Sequence, residues 1–206
     1  MSSKEYFDNV AEQWDSMRQN FFTTAVREAA FRVAGIKSGD LAADIGAGTG
    51  FITEGLLLNG LTVIAVDESE AMLEVLRSKF LGKDIHCYQG ESQQLPIADA
   101  TVDYAFANMY LHHVESPGKA IAEMVRIIKP GGKLVLTDLD EHPYSFLREE
   151  HHDRWLGFKR AEIVKWFTAS GLKDVRVDCL GQNCCTKSAN NGEEAAISIF
   201  VASGVK

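Results

Sequence analysis

The 206-residue chain alternates short apolar runs with amphipathic stretches, and this rhythm dictates the elements to expect. LAADI at 41–45, LTVIAVD at 61–67, a short run at 84–88, VDYAFANM at 102–109 and KLVLTDLD at 133–140 read as strands, being short, apolar and partly β-branched. Residues 51–59, 69–80 and 117–129 read as helices, the second opened by Ser69 as N-cap and the third stopped by Pro130-Gly131-Gly132. Residues 3–34 read as helical in two pieces that part near Arg18–Asn20. Strands alternating with helices imply βαβ units, a parallel sheet and right-handed crossovers. The end of the chain breaks the pattern: a helix at 159–170, DVRVDCL at 174–180, a polar loop, then AAISIFVAS at 195–203. That loop leaves no room for a crossover helix, so the last two strands are expected to pair as an antiparallel hairpin. With no repeat, low-complexity tract or linker, residues 1–206 read as a single domain.

One stretch carries more than architecture. The run 41–50, LAADIGAGTG, closes a strand on an acid and then places glycine at positions 46, 48 and 50. A turn without side chains lets backbone approach a ligand, and the following helix would aim its N–H groups and positive dipole end at it. A tight strand-to-helix turn with no ligand is the alternative. Dinucleotide-binding turns carry Gly or Ala where this chain has Phe51, and Asp44 would repel a pyrophosphate but welcome a cationic or amino-bearing ligand. A nicotinamide oxidoreductase is disfavoured on both counts.

Charge narrows the partners. There are 21 basic and 29 acidic residues, a formal net charge of −8, and no Lys/Arg stripe of the kind that neutralises phosphates, so nucleic acid is not an expected partner. No apolar run approaches the roughly 20 residues of a membrane helix, and the start, MSSKEYFDN, has no secretory h-region. A cytoplasmic location is expected. The four cysteines, Cys87, Cys179, Cys184 and Cys185, do not form a secreted disulfide framework and fit free thiols in a reducing compartment.

Five parallel strands followed by an antiparallel hairpin is the doubly wound, Rossmann-like architecture of class I S-adenosylmethionine-dependent methyltransferases. The motifs are similar too. DIGAGTG resembles that family's first motif and VIAVDESEAML its second. QGESQQLPIADATVDYAFANMYLHHV resembles the segment around strands three and four, and RIIKPGGKLVLTD the turn into strand five. The resemblance extends over most of residues 5–203, and its nearest flavour is the small-molecule group that includes ubiquinone/menaquinone-biosynthesis and arsenite methyltransferases. It implies S-adenosyl-L-methionine as cofactor, methyl transfer to a small molecule, an N-terminal helical lid over residues 1–34, and a substrate-facing insertion at 139–158.

The resemblance also implies roles, beside which plainer readings stay open. Asp67, with Glu68 beside it, would take the ribose hydroxyls, or cap the next helix. Asp44 would face the ammonium directly or through water, while Gly46, Ala47 and Gly48 line the methionine and ribose. Glu91 would accept the adenine amino group and Ser92 would offer its backbone N–H. Met72 covers the adenine face or only fills the core. Asn108 and Met109 would border the sulfonium. Tyr6, on a segment with Phe7 and Trp14, touches the methionine carboxylate or merely docks the helix.

An activated sulfonium needs alignment and exclusion of water more than a fixed base. Oxygen or carbon acceptors still require a proton removed. His113, His142 and Asp138 are the candidates for that work, with His112 and Asp140 near them; each is otherwise a packing or capping residue. Asp140, Glu141, His142, His151 and His152 match no recognised metal spacing, and no resident metal is expected. Trp155 and Phe158 are placed as walls of an apolar pocket. Cys179, Cys184 and Cys185 form a C-x4-C-C cluster that could converge on a soft ion such as trivalent arsenic, or be idle. A cofactor-binding protein without turnover and a metalloid-binding protein are the alternatives to an enzyme. The oligomeric state is not legible.

Overall fold

The structure, a computed structural model, describes residues 3–19 and 21–206; Asn20, at the expected break in the N-terminal helices, lies outside them. Seven strands form one sheet: β1 (Leu41–Ile45), β2 (Thr62–Asp67), β3 (Ile85–Gln89), β4 (Val102–Asn108), β5 (Ile128–Leu139), β6 (Lys173–Lys187) and β7 (Glu194–Val205), in the order β3-β2-β1-β4-β5-β7-β6. Neighbours from β3 to β5 pair parallel. β7 is antiparallel to both β5 and β6 and slots between them, so the expected hairpin closes the sheet. The order reverses between β1 and β4, and the carboxyl ends of those strands open a crevice there.

The period-two alternation of each strand feeds two cores. Ala43, Ile45, Ala105, Ala107, Leu134 and Leu136 face α6 (Pro117–Ile127) and α8 (Arg160–Ala169) through residues such as Met124, Ile163 and Phe167. Ala42, Phe106 and Val135 face α3 (Thr24–Ala34) and α4 (Phe51–Leu58) through Val26, Phe31, Ile52 and Leu56. Strands buried on both faces are apolar throughout, which is why they were readable as short continuous runs. α5 (Glu70–Lys79) covers β2 and β3, its N-terminus capped by Ser69 Oγ, which accepts from Met72 N at 3.1 Å.

The N-terminal segment divides by function. α1 (Ser3–Val10), a 3-10 turn at Ala11–Gln13 and α2 (Trp14–Arg18) lie across the glycine turn and α5, whereas α3 belongs to the sheet's helical layer. Polar ties hold the cover down: Ser69 Oγ donates to Asp8 Oδ1 at 2.6 Å, Thr49 Oγ1 to Asp15 Oδ1 at 2.7 Å, and Lys79 Nζ to Asp15 Oδ2 at 2.7 Å.

Two expectations need correction. The segment after residue 180 is not a long polar loop: β6 runs on to Lys187, with a register slip between Cys179 and Asn183, and only residues 188–193 turn. An edge strand can be polar on its open face, so composition hid it. The third helix ends at Ile127, and Pro130-Gly131-Gly132 lies in an irregularity at the start of β5, between the pairs Val102–Ile128 and Tyr104–Lys133.

Candidate functional site

A cavity of about 280 Å3 opens at the reversal point of the sheet. Its floor is the glycine turn, where Gly46 (φ +70°), Gly48 (φ +53°) and Gly50 (φ +91°) hold left-handed backbone. A Cβ on Gly46 would lie 2.1 Å from the Tyr110 ring, and one on Gly48 would point at Trp14 of the covering helix, 3.6 Å from Nε1. Tyr110 thus leaves room only for glycine at 46, whereas at 48 it is the left-handed backbone, not Trp14, that favours glycine.

Asp44, Gly46, Ala47, Gly48, Asp67, Glu68, Met72, Glu91, Ser92, Asn108 and Met109 all line this one cavity. They come from the ends of β1, β2 and β4, the loop after β3 and, for Met72, the first turn of α5, so topology gathers what the sequence scatters. Tyr6 is placed elsewhere, on a smaller neighbouring chamber. Met72 both lines the cavity and is 1% exposed, so its two readings coincide.

The two carboxylates are fixed by backbone. Strand alternation turns Asp44 toward α4, where its Oδ2 accepts from Thr53 N at 2.9 Å and Thr53 Oγ1 at 2.7 Å. The helix therefore spends its Thr53 N–H on the protein's own carboxylate, and does not aim it at a ligand as expected. Burial pushes the Asp44 carboxyl up to about 7, even against these two bonds. Asp67 accepts from Ser69 N at 2.9 Å and Gly48 N at 2.8 Å, tying the glycine turn to the end of β2. Burial likewise lifts Asp67, to about 6. Two acids so raised mark a pocket electrostatically prepared for a cationic, hydrogen-bond-donating ligand.

Arg18, which sequence reasoning passed over, lines the same cavity. Its guanidinium stacks 4.3 Å above the Phe51 ring, and its buried Nε has no hydrogen-bond partner among the described residues. Asn108 is oriented by Thr137 Oγ1, which donates to its Oδ1 at 2.7 Å. Met109 then adopts a left-handed φ of +49°, turning the chain sharply into the 3-10 turn Leu111–His113.

That turn forms the wall between the cavity and the second chamber, of about 60 Å3. His113 faces both spaces. His142 and Asp138 line neither. Asp138 is fully buried and holds His112, with Nδ1···Oδ1 2.6 Å, while the 92% buried His142 has its Nε2 unpartnered among the described residues. Burial opposes charge on His112, but Asp138 and Asp153 outweigh it and raise the imidazole to about 9. Burial and the neighbouring His112 hold His113 well below its ordinary value, and the same causes bring His142 down to about 4.

The insertion contributes Leu147, His151 and Asp153 to the second chamber and Arg154 to the main cavity. Two of its acids are paired away from both spaces: Arg160 Nε and Nη2 donate to Asp140 at 2.8 and 2.6 Å, and the exposed Lys159 pairs with Glu141 at 3.7 Å. Trp155 and Phe158 wall neither space; Phe158 is core, and Trp155 Nε1 donates to the Val114 carbonyl at 2.8 Å. The thiols do not converge. Cys184 and Cys185 are consecutive strand residues on opposite faces of β6, Cys179 lies beyond the register slip, and only Cys184 reaches the second chamber.

Comparison with known proteins places this arrangement. Residues 43–136 match a family model described as a methyltransferase domain. The chain is 33% identical over 168 residues to demethylmenaquinone methyltransferase of Thermobifida fusca, covering 78% of this chain and 68% of that protein. It is 38% identical over 143 residues to the protein of the same name in Renibacterium salmoninarum, covering 66% and 58%. The chain thus spans between 58% and 68% of these relatives' lengths. Among solved structures, a chain of the complex that holds the Haloferax volcanii Trm112 methyltransferase activator superimposes with a TM-score of 0.80 at 20% identity, over 97% of this chain and 96% of that one. The order of the sheet, the glycine turn at its reversal point and the sequence kinship agree: the chain belongs to the class I S-adenosylmethionine-dependent methyltransferases.

Proposed function

We propose that the protein transfers a methyl group from S-adenosylmethionine to a small-molecule acceptor bound in the second chamber. The observation that carries this reading is the junction of the two spaces. They share Phe7, Trp14, Phe22, Met109 and His113 as common walls, so ligands in each would meet across Met109 and His113.

The residues fit the cofactor. Gly46 and Gly48 supply a cradle that a Cβ would fill or crowd, and Asp44, buried, and Asp67, partly buried, are acids that desolvation raises. Asp67, with Glu68, would accept from the ribose hydroxyls, Glu91 and Ser92 would meet the adenine edge, and Met72 its face. Asp44 would face the ammonium and Arg18 the carboxylate, a role the position of Tyr6 does not serve. Asn108 and Met109 border the reacting end. When bound, the cofactor supplies a sulfonium-activated methyl group. The chain's contribution is alignment and exclusion of water, through the aromatic cover of Phe7, Trp14 and Phe22.

We take residues 1–206 as one domain, with the cover confined to α1 and α2 and with 139–158 facing the acceptor. Among the described residues, no helix is long and apolar enough to cross a membrane. The −8 charge argues against a nucleic-acid acceptor, and the free thiols suit the cytoplasm. The named relatives make a quinol ring the first acceptor to test, with phenols, thiols and arsenite beside it. The test is calorimetric titration with S-adenosylhomocysteine and NADH, followed by a methyl-transfer screen. Micromolar binding of the former alone, with turnover on one acceptor class, is expected; binding of neither, or no transfer across the panel, overturns the reading.

A further inference from the structure

The second chamber holds a cluster of which the methyl-transfer reading uses only His113, as a wall. The carbonyl of His112 accepts from both Arg154 N and Trp155 N at 3.0 Å, which pins Asp153 of the insertion beside the histidine pair. Asp153 Oδ1 then lies 3.8 Å from His112 Nε2 and 3.9 Å from His113 Nδ1. The three ligand atoms all fall within 4.8 Å of one another, and no other group of three or more His, Cys, Asp or Glu side chains among the described residues comes together in this way.

Hydrogen bonding does not explain these separations, which exceed its range by several tenths of an ångström. The two carboxylate–imidazole separations fall in the range that metal ligation sets: an ion about 2.1 Å from each of two ligands holds them about 3.0–4.2 Å apart for angles from roughly 90° to 180°. His113 supplies a second, independent sign: its Nδ1 is buried without a hydrogen-bond partner among the described residues, on a side chain only 11% exposed. The third sign is the carboxylate behind His112. Asp138 takes Nδ1 at 2.6 Å, which leaves Nε2 to face the cluster, the arrangement that orients a metal-bound imidazole.

We propose that His112 Nε2, His113 Nδ1 and the Asp153 carboxylate form a binding site for one divalent transition-metal ion, open toward the second chamber. Two imidazoles and one carboxylate suit zinc, iron(II) or cobalt(II); magnesium and calcium prefer oxygen donors. Resting on the reading of the chamber as the acceptor site, the ion would coordinate an acceptor hydroxyl as its oxyanion, the displaced proton passing to solvent.

The test is titration of the chelator-stripped, full-length protein with cobalt(II) in the absence of any cofactor, followed by visible absorption. One equivalent is expected to give ligand-field bands stronger than those of the aqueous ion. In His113→Gln and Asp153→Asn variants that keep the wild-type circular dichroism, affinity is expected to fall about tenfold or more, while Cys184→Ser binds as wild type. The aqueous cobalt spectrum throughout the wild-type titration would overturn the site, and so would folded variants that bind as tightly as wild type. Titration of the same samples with S-adenosylhomocysteine separates the two readings: S-adenosylhomocysteine binding without cobalt binding sinks the metal site alone, and cobalt binding without it leaves the metal site standing.

Discussion

Asp44 offers a quantitative test of how the cavity recognises its ligand. The carboxylate is 1% exposed and, with no cation beside it, titrates near 7. An ammonium about 4 Å away, at an effective dielectric of ~20, stabilises the ionised form by ~4 kcal/mol. That lowers its pKa by roughly three and returns it to the ordinary carboxylate range. Linkage then requires the ligand to displace a proton whenever the free protein holds one. S-adenosylhomocysteine affinity is expected to be flat above pH 7 and to fall below it, Asp44 alone contributing about tenfold per pH step and about a hundredfold by pH 5, with protonation of Asp67 steepening the fall below about 6. The assay is calorimetry at several pH values in two buffers of different ionisation enthalpy, which also counts the protons released. Asp44→Asn should lose the inflection near 7 and retain only that of Asp67 near 6. The unliganded protein carries the opposite signature. Because the folded value lies above the ordinary 3.8, Asp44 contributes stability that is fully present below about pH 4 and is lost as pH rises through about 7, by at most ~4 kcal/mol. An affinity independent of pH between 5 and 8 in the wild type, or the same inflection in Asp44→Asn, would refute the argument that this carboxylate meets the ammonium.

Two further predictions address the cradle and its cover. Gly46→Ala places a methyl 2.1 Å from the Tyr110 ring at a φ of +70°, and is expected to cost about 2 kcal/mol, read as a fall in Tm of about 4–8 °C, together with loss of S-adenosylhomocysteine binding; an unaltered melt would show that Tyr110 yields freely. Arg18→Ala is expected to weaken S-adenosylhomocysteine about tenfold or more, consistent with loss of a charge-assisted bond. Binding of 5′-methylthioadenosine, which lacks the carboxylate, should be equal in variant and wild type, and a parallel loss for both ligands would assign Arg18 a packing role instead.

Much of the fold was legible because its information is local. Strands buried on both faces must be apolar, helices must keep one apolar side, and left-handed turns must be glycine, so β1 to β5, their helices and the turn at 46–50 could be read in order. The cofactor candidates came from the resemblance of the motifs to a known family, and eleven of twelve lie on one cavity. β6 was cut short because an edge strand with an open face needs no apolar alternation, and its polar end looks like loop. That misreading also brought Cys184 and Cys185 together in a loop, when a strand sends consecutive side chains to opposite faces.

The chain by itself determined the sheet, the glycine cradle and the family, since each is written in short-range patterns of size, polarity and backbone freedom. Only the tertiary structure decided what the histidines touch. The buried Asp138 on β5 and Asp153 in the insertion lie about 25 and 40 residues after the 3-10 turn at 111–113, and no spacing rule links them. They meet because β4 and β5 are neighbours in the sheet and because two backbone N–H groups of the insertion find the His112 carbonyl. Hydrogen bonds between distant segments leave no periodic trace in sequence, so contacts of this kind become visible only once the chain has folded.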